Sequence, residues 1–339
     1  MSTILLPSEA FALPPALEAH EPPEARGIGR GGVRLLISDR RADMLTHVRF
    51  LDLPSFLRRG DLLVLNTSAT LPAALTVLRG DGRSLRLHLS TRLPADLWIV
   101  EPREAEVAPG ESLALPGGAG AVFLRPYRRS SRLWVAHLDL PDAAVPYLLR
   151  WGRPITYPYV YGTWPLAMYQ NVYADEPGSA EMPSAGRPFT PQMLTRLEAM
   201  GVGLARLLLH TGVASLESGE APYEEFYHVP PAAARAVMAT KRRGGRVIAV
   251  GTTVVRALES AVDTGGQVIA SRGWTDLIVT PDRGVCVADG LLTGFHEPRA
   301  SHWAMLEAFV GRAHLDRAYR AAVGHGYLWH EFGDVHLIV

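Results

Sequence analysis

The chain has 339 residues, 34 basic and 34 acidic side chains, and a single cysteine. This length predicts about two domains. A composition of 47% hydrophobic and 20% charged residues is typical of a folded globular protein. The single cysteine excludes an intramolecular disulfide, and no group of Cys and His residues has the spacing of a zinc site.

No segment contains the roughly twenty consecutive apolar residues that a membrane helix needs. The first residues also lack the basic and apolar parts of a signal peptide. We therefore expect a cytoplasmic protein that has no membrane partner and binds no metal.

The balance of charges argues against a protein that binds nucleic acid through its overall charge. All basic residues except Lys241 are arginines, and the planar guanidinium group suits phosphate and carboxylate partners. A local arginine patch therefore remains open, beside the simpler explanation that a GC-rich genome favours arginine codons.

The first 32 residues are rich in Pro, Ala and Glu and predict an extended arm. Residues 27–32 match the pattern G-x-G-x-x-G. A dinucleotide-binding loop with this pattern must follow a strand and open a helix. Here the strand-like segment 33–37 follows the glycines, so we interpret them as a loop.

From about residue 60 to residue 149, short apolar segments alternate with turns rich in Gly, Pro and Asp. Their spacing predicts a small antiparallel β-barrel or sandwich. The predicted strands lie at 61–65, 85–89, 97–100 and 133–138.

After Tyr173 the pattern changes to alternating helices and strands, which predicts an α/β fold. Thr190 is a good N-cap for a helix that ends at Gly201. The remaining predicted helices lie at 231–240, 254–261 and 301–310. The predicted strands lie at 203–209, 246–250, 276–279, 285–288 and 335–338.

Three features of this half have the residue types of a ligand site. The strand-to-helix turn at 249–256 combines a glycine, two threonines and an arginine at a helix N-terminus, which fits an anion site and a plain capped helix start equally well. His210 follows a predicted strand, and ligands of α/β proteins gather at the carboxyl ends of strands, although a histidine in such a position is more often structural. The small residues of 182–190 could form a backbone cradle, although a plain connector explains them equally well.

The order of motifs along the chain resembles one enzyme family. They are Tyr-Gln-Asn-Val-Tyr-Ala at 169–174, Pro-Ser-Ala-Gly at 183–186 followed by Phe-Thr at 189–190, Leu-His-Thr-Gly at 209–212, Arg-Val-Ile-Ala-Val-Gly-Thr-Thr at 246–253, Gly-Trp-Thr-Asp-Leu at 273–277, Phe-His-Glu-Pro-Arg at 295–299 and Phe-Gly-Asp at 332–334. The series is similar to the S-adenosylmethionine:tRNA ribosyltransferase-isomerases of queuosine biosynthesis and spans almost the whole chain.

The resemblance implies an α/β main domain with an inserted small antiparallel β-barrel. We place the main domain at 1–60 and 150–339 and the barrel at 61–149.

The resemblance also implies transfer and isomerisation of the ribosyl part of S-adenosylmethionine onto a 7-aminomethyl-7-deazaguanine base in a tRNA anticodon, with release of adenine and methionine. S-adenosylmethionine would then be a co-substrate, with no permanently bound cofactor. The expected partners are S-adenosylmethionine and the tRNA anticodon arm, and we expect a monomer.

Such a reaction needs groups that move protons and groups that hold the substrate. For proton transfer the resemblance points to His296 and His210, with Glu225 as a further catalytic candidate. The substrate-binding candidates are Tyr169, Gln170, Pro183, Ser184, Ala185, Gly186, Phe189, Thr190, Gly251, Thr252, Thr253, Arg256, Asp276, Phe295, Arg299 and Asp334.

The chain departs from the family pattern at several polar positions. It has Asn-Thr-Ser-Ala at 66–69 where the family typically has Asn-Asp-Thr-Arg, and Arg-Pro at 187–188 where the family has Leu-His. Two alternatives therefore stay open: a relative that modifies a small-molecule acceptor without tRNA, and a non-catalytic relative that only binds ligand or RNA.

The barrel segment offers one way for a neutral chain to hold tRNA. Seven arginines of this segment could form a single basic face: Arg79, Arg83, Arg86, Arg125, Arg128, Arg129 and Arg132. If they are scattered instead, the neutral charge favours the small-molecule acceptor.

Overall fold

The computed structural model describes residues 13–128, 130, 132–213, 223–296 and 302–339. In chain order the strands are β1 (Arg34–Asp39), β2 (Met44–Arg49), β3 (Leu62–Asn66), β4 (Ser68–Thr70), β5 (Ala74–Arg79), β6 (Ser84–Arg92), β7 (Leu97–Arg103), β8 (Ser112–Ala114), β9 (Gly120–Pro126), β10 (Trp134–Asp139), β11 (Glu176–Ser179), β12 (Gly203–Leu209), β13 (Glu225–Val229), β14 (Val247–Val250), β15 (Ser271–Thr275), β16 (Gly290–Gly294) and β17 (Val335–Ile338). The α-helices are α1 (Ala144–Trp151), α2 (Pro191–Ala199), α3 (Pro231–Arg242), α4 (Thr252–Ser260), α5 (His302–Val310) and α6 (Arg312–Gly324).

Nine strands form one mixed sheet in the order β15-β13-β12-β3-β14-β16-β17-β1-β2. Its centre, β12-β3-β14-β16, consists of parallel neighbours. These strands are short and nearly all apolar, as expected for strands that are covered on both faces. The carboxyl ends of four consecutive strands therefore meet along one edge of the sheet.

Helices cover the two faces of the sheet unequally. Residues of α3, α4, α5 and α6 share one apolar core with alternate residues of the strands. On the other face, α2 and the 3₁₀ segment Phe50–Phe56 pack over the middle of the sheet in a second core. Thr190 caps α2 by accepting a hydrogen bond from the backbone N–H of Met193 at 3.2 Å, as the sequence predicts.

A closed barrel of six antiparallel strands, in the order β10-β7-β6-β5-β8-β9, is inserted between β3 and α2. The α/β fold with an inserted barrel is therefore confirmed. Residues 62–65, placed by the sequence in the barrel segment, belong to β3 (Leu62–Asn66) at the centre of the main sheet. We propose to start the barrel at Ala74 rather than at residue 61.

Two predicted strands are wrong because side chains take the backbone groups that a strand would use. The N–H groups of Cys286 and Val287 both donate to Glu259 Oε1, at 3.0 and 2.8 Å. In the other segment, the N–H of Leu277 donates to the Thr275 hydroxyl and its carbonyl accepts from Arg256. The strands β15 and β16 lie just outside these segments.

The glycine-rich residues 27–32 lack the strand–loop–helix context of a dinucleotide-binding loop. They lead through a 3₁₀ turn at Arg30–Gly32 directly into β1. A strand after the glycines, in place of a helix, agrees with the prediction of a loop.

A buried ion pair fastens the amino-terminal ends of the central strands. Asp61, which is 3% exposed, accepts from Arg246 Nη2 at 2.5 Å and from Arg246 Nε at 3.1 Å. It also accepts from the backbone N–H of Arg58 at 2.8 Å. The pair joins the residue before β3 to the residue before β14.

Substitution of Asp61 should therefore destabilise the protein. Asp61→Ala leaves a partly buried guanidinium and a backbone N–H without their acceptor, so we expect a loss of about 3 kcal/mol in the free energy of unfolding. Urea denaturation followed by circular dichroism measures this loss. The control is Asp81→Ala, which removes the exposed ion pair with Arg83 and should change stability much less. Equal effects of the two substitutions would contradict this account.

Candidate active site

The carboxyl ends of β12, β3, β14 and β16 bring several predicted site residues to one edge of the sheet. His210 follows β12, Asn66 ends β3, Gly251 follows β14, and His296 lies just beyond β16. Neighbouring strands lie about 4.8 Å apart, so His210 and His296 are separated by about 14 Å at the level of the strands. The two histidines therefore lie at the two ends of one row.

His210 is held by a chain of hydroxyl groups. Its Nδ1 is 2.7 Å from Ser68 Oγ, which is 2.6 Å from Ser179 Oγ. Ser179 Oγ also accepts from the backbone N–H of Thr211 at 2.9 Å. A Cβ atom on Gly178 would lie 2.3 Å from the ring of His210. The β11 backbone thus packs flat against the imidazole and fixes its orientation.

Asn66 connects the strand ends next to His210. Its amide oxygen accepts from the N–H groups of Leu209 at 3.0 Å and Ser68 at 3.1 Å. Its Nδ2 donates to the Leu209 carbonyl at 2.8 Å and to Thr253 Oγ1 at 3.3 Å. All hydrogen-bonding groups of this 1% exposed amide are in use. Asn66 therefore sets the relative positions of β12, β4 and α4.

Gly251 and the start of α4 form the middle of the edge. Gly251 has φ +101°, a conformation that side-chain-bearing residues rarely adopt. This conformation turns the chain sharply from β14 into α4. The first N–H groups of a helix have no partner within it and carry a partial positive charge. Thr252 and Thr253 thus place backbone donors and hydroxyl groups at the edge.

The predicted small-residue cradle lies over the same edge. Pro183 is followed by a 3₁₀ turn at Ser184–Gly186, which packs against the end of β16. A Cβ on Gly251 would lie 3.6 Å from the Cβ of Ala185. A Cβ on Gly186 would lie 1.7 Å from the hydroxyl of Tyr173. Small residues are therefore needed here so that the turn can approach the strand ends.

Glu225 and Arg256 form an ion pair beneath this edge. Glu225 Oε2 pairs with Arg256 Nη1, and Glu225 Oε1 accepts from the N–H of Gly212 at 2.9 Å. Arg256 also donates to the carbonyls of Leu277 at 3.1 Å and Thr275 at 2.9 Å. Both side chains have their hydrogen-bonding groups engaged. The structure therefore gives Arg256 a role in joining α4 to β13 and β15, and Glu225 a role in holding the loop after His210.

His296 lies in a cluster of buried polar rings. Its Nε2 is 2.8 Å from Thr293 Oγ1, and its ring stacks on His302 with centroids 4.6 Å apart. Burial, followed by the nearby His302, holds the pKa of His296 well below its usual value. Burial, followed by the charge of Arg256, lowers the pKa of His302 to about 4. Both imidazoles are therefore neutral at neutral pH.

Five predicted binding residues make contacts within the protein framework. Gln170 makes two hydrogen bonds to the backbone of Thr70, at 2.7 and 2.9 Å. Thr190 caps α2, and Phe189 packs in the core against Phe50. Phe295 lies in an aromatic cluster with Trp329. Asp334 accepts from the N–H groups of Arg34 and Leu328, at 2.7 and 2.8 Å.

The last three predicted binding residues differ in their surroundings. Tyr169 is 3% exposed and packs on Phe332, with ring centroids 5.0 Å apart. Its hydroxyl is buried and has no hydrogen-bond partner among the described residues. Asp276 is exposed beside the barrel. Arg299 lies outside the described residues.

Arg187, which stands where the family has leucine, is buried in the cradle. It is 2% exposed, pairs with Glu24 at 2.7 Å and donates to the Met168 carbonyl at 2.9 Å. Its guanidinium carbon lies 5.1 Å from the centroid of the Phe332 ring. This departure from the family pattern therefore ties the amino-terminal segment to the cradle.

Most arginines of the barrel are neutralised by carboxylates. Ion pairs join Arg79 to Glu111, Arg83 to Asp81, Arg128 to Glu224 and Arg132 to Glu101. Arg86 and Arg125 are exposed, and Arg129 lies outside the described residues. The described part of the barrel therefore does not supply the strongly basic face that the sequence allowed.

The sequence did not identify four residues that the structure places beside the predicted histidines. Ser68 and Asn66 lie in the motif at 66–69 and could have been selected as the segment that follows a buried strand. Ser179 and His302 have no recognisable pattern around them. Contacts between distant segments bring them to the site, since Ser179 is 111 residues from Ser68.

The pKa of His210 gives a testable pH dependence. Burial lowers it to about 4, whereas the unfolded chain should have a value near 6.5. Between these values the unfolded state binds more protons, so this histidine's contribution to stability is complete above pH 6.5 and is lost as the pH falls towards 4.

We expect the imidazole signals of His210 in ¹⁵N-histidine NMR spectra to titrate near pH 4. Replacing His210 with Gln should reduce the fall in unfolding free energy between pH 6.5 and pH 4. A midpoint near 6.5 for His210 would contradict the buried, neutral imidazole described above.

The described part of the chain has neither a cluster of metal ligands nor a membrane-spanning helix. No three His, Cys, Asp or Glu side chains within it are grouped so that they could hold a metal ion. None of its helices has the length and apolar character needed to cross a bilayer.

Comparison with known proteins identifies the family. The family model described as "Queuosine biosynthesis protein" matches residues 8–338. S-adenosylmethionine:tRNA ribosyltransferase-isomerases of Moorella thermoacetica and Thermus thermophilus are 35% and 37% identical to this chain, and each alignment covers 97% of the chain and 98% of the relative. The crystal structure of S-adenosylmethionine tRNA ribosyltransferase from Thermotoga maritima is 30% identical, covers 97% of this chain and 99% of its own, and has a TM-score of 0.56. The predicted family is thus confirmed, and the chain belongs to the queuosine biosynthesis protein family.

Proposed function

We propose that this protein is an S-adenosylmethionine:tRNA ribosyltransferase-isomerase. It transfers and isomerises the ribosyl part of S-adenosylmethionine onto a 7-aminomethyl-7-deazaguanine base of tRNA, and adenine and methionine are released. The observation that supports this most strongly is the row of His210, Asn66, Gly251 and His296 along one sheet edge in a member of this family. The two relatives that have this name align with the chain over almost their full length.

The order of residues along this sheet edge suggests a separate role for each in the reaction. His210 is neutral at neutral pH, because burial lowers its pKa to about 4, so one of its ring nitrogens has a lone pair that can accept a proton from the carbon next to the sulfonium. Ser68 Oγ, 2.7 Å from Nδ1, holds the ring in place. The start of α4 can hold the methionine carboxylate. About 14 Å along the row, His296 can assist at a second atom, which suits the departing adenine. No permanently bound cofactor is needed, since S-adenosylmethionine is the co-substrate.

A monomeric state and a cytoplasmic location stay predictions, and the start of the barrel at Ala74 stays a proposal.

Adenine release tests the proposed function. Purified protein incubated with S-adenosylmethionine and a precursor tRNA that carries the 7-aminomethyl-7-deazaguanine base should release adenine and methionine in equal amounts, as measured by liquid chromatography. Without tRNA, release should be negligible. Release without tRNA would support the small-molecule alternative, and failure to bind S-adenosylmethionine would contradict both.

His210→Ala tests the proposed proton transfer. We expect kcat to fall at least 100-fold, the usual contribution of a general base, with S-adenosylmethionine still bound. His137→Ala alters an exposed histidine of the barrel and should leave kcat unchanged. Wild-type turnover by His210→Ala would exclude this residue as the base.

Gly251→Ala tests the proposed binding role of the turn into α4. The added Cβ forces a strained backbone at φ +101°, which costs about 1 to 3 kcal/mol of stability, and it enters the edge where the substrate should bind. We expect at least a tenfold weaker affinity for S-adenosylmethionine in calorimetry. Gly266→Ala is the control, because Gly266 has φ +76° and open space around it. If both variants bind S-adenosylmethionine like the wild type, the turn is not part of the site.

A further inference from the structure

We propose that the outer face of β12, β13 and β15 is the surface on which the tRNA anticodon loop docks. This inference rests on the proposed function, because the partner is the RNA substrate of that reaction. We call this surface the Trp274 face. Its members are Arg206, His210, Phe226, His228, Arg272 and Trp274.

The strand pattern shows why these side chains share one face. Ala205, Leu207, Leu209, Tyr227 and Val229 point into the core that α3 and α4 cover. Side chains alternate along a strand, so the residues between them point to the opposite side. Over the middle of the sheet that side is covered by α2 and Phe50–Phe56. On β13 and β15, by contrast, it remains partly or fully exposed.

Three rings form a continuous row across this face. His210 and Phe226 lie 6.1 Å apart between centroids with their planes 26° from parallel. Phe226 and Trp274 are a cross-strand pair with centroids 5.7 Å apart. Trp274 is 45% exposed, so the outer end of this row of rings is open to solvent. Exposed aromatic rings on a sheet are the platform on which proteins stack the bases of single-stranded RNA.

Positive charge accompanies the rings. Arg272 on β15 lies opposite His228 on β13, two residues along these strands from the cross-strand pair of Trp274 and Phe226. Arg206 lies on β12, on the other side of β13, and is exposed, as is Arg272. Neither arginine has an acidic partner within the described part of the chain, unlike four of the barrel arginines. Arginines without carboxylate partners next to aromatic rings match a polymer of phosphates and bases.

The row also leads to the candidate site. Its inner ring is His210, at the end of the carboxyl edge where S-adenosylmethionine is proposed to bind. Bases stacked on Trp274 and Phe226 would direct the next base of the loop towards His210. An anticodon loop suits this geometry, because its bases are unpaired and one of them must enter the site. The charge balance of the whole chain does not oppose this, since only a few phosphates need a partner here.

RNA binding measured by fluorescence anisotropy tests the proposal. The probe is a labelled anticodon stem-loop RNA that carries the precursor base. We expect Trp274→Ala to weaken binding at least tenfold and Trp274→Phe to retain most of the affinity, since phenylalanine still stacks. Arg272→Ala should weaken binding and reduce the slope of log K against log salt by about 0.7, the value for one phosphate contact to a single strand.

Matched controls lie at the opposite edge of the same sheet. Met44→Ala removes an exposed apolar side chain on β2, and Arg41→Ala removes an exposed arginine in the turn before it. Both should bind the RNA like the wild type. Circular dichroism melting curves should show that all variants are folded. Trp274→Ala that binds within twofold of the wild type would overturn the proposal, as would loss of binding in the β2 controls to the same extent.

Kinetics separate this inference from the proposed function. With Trp274→Ala, the KM for the RNA should rise tenfold or more, whereas kcat at saturating RNA and the affinity for S-adenosylmethionine should not change. If the wild type releases adenine only with RNA but the KM of Trp274→Ala is unchanged, the Trp274 face is wrong and the proposed function stands. If the wild type binds the RNA through this face but releases no adenine, the proposed function is wrong and the docking surface stands.

Discussion

The candidate site depends most on the hydrogen bonds of the buried Asn66 side-chain amide. A buried amide must have its donors and acceptor satisfied, and that of Asn66 is satisfied by the backbone of Leu209, the N–H of Ser68 and the hydroxyl of Thr253. These contacts belong to β12, β4 and α4. One side chain therefore fixes the positions of three segments relative to one another: the end of β12 before His210, the start of β4 and the start of α4.

This arrangement explains how the barrel contributes to the site although it lies outside the main sheet. β4 continues from β3 towards the barrel and pairs with β11, so Ser68 and Ser179 meet beside His210. Val213, after the histidine, donates its N–H to Ser90 of the barrel at 2.9 Å. The loop that follows His210 is thus tied to the barrel, while the imidazole itself is held by β4 and β11.

The sequence predicted the parts of the structure that depend on local patterns. The cap at Thr190, the helix at Pro231–Arg242 and the apolar strand at Val247–Val250 follow from residues close in the chain. The sequence could not show that Glu225 and Arg256 would satisfy each other's charges, because they are 31 residues apart and each resembles a functional residue in isolation. It likewise could not show that Gln170 would be used by the backbone of Thr70. Polar residues in a motif can serve the framework or the substrate, and only their contacts distinguish the two.

The central claim is that S-adenosylmethionine binds along the carboxyl edge of β12, β3, β14 and β16. A crystal structure of the protein with S-adenosylmethionine tests it most directly. We expect the sulfonium to lie next to His210 and the methionine carboxylate to lie at the start of α4, near Thr252 and Thr253. Density for the ligand inside the barrel, or on the face of the sheet that α3, α4, α5 and α6 cover, with the edge empty, would contradict this binding site.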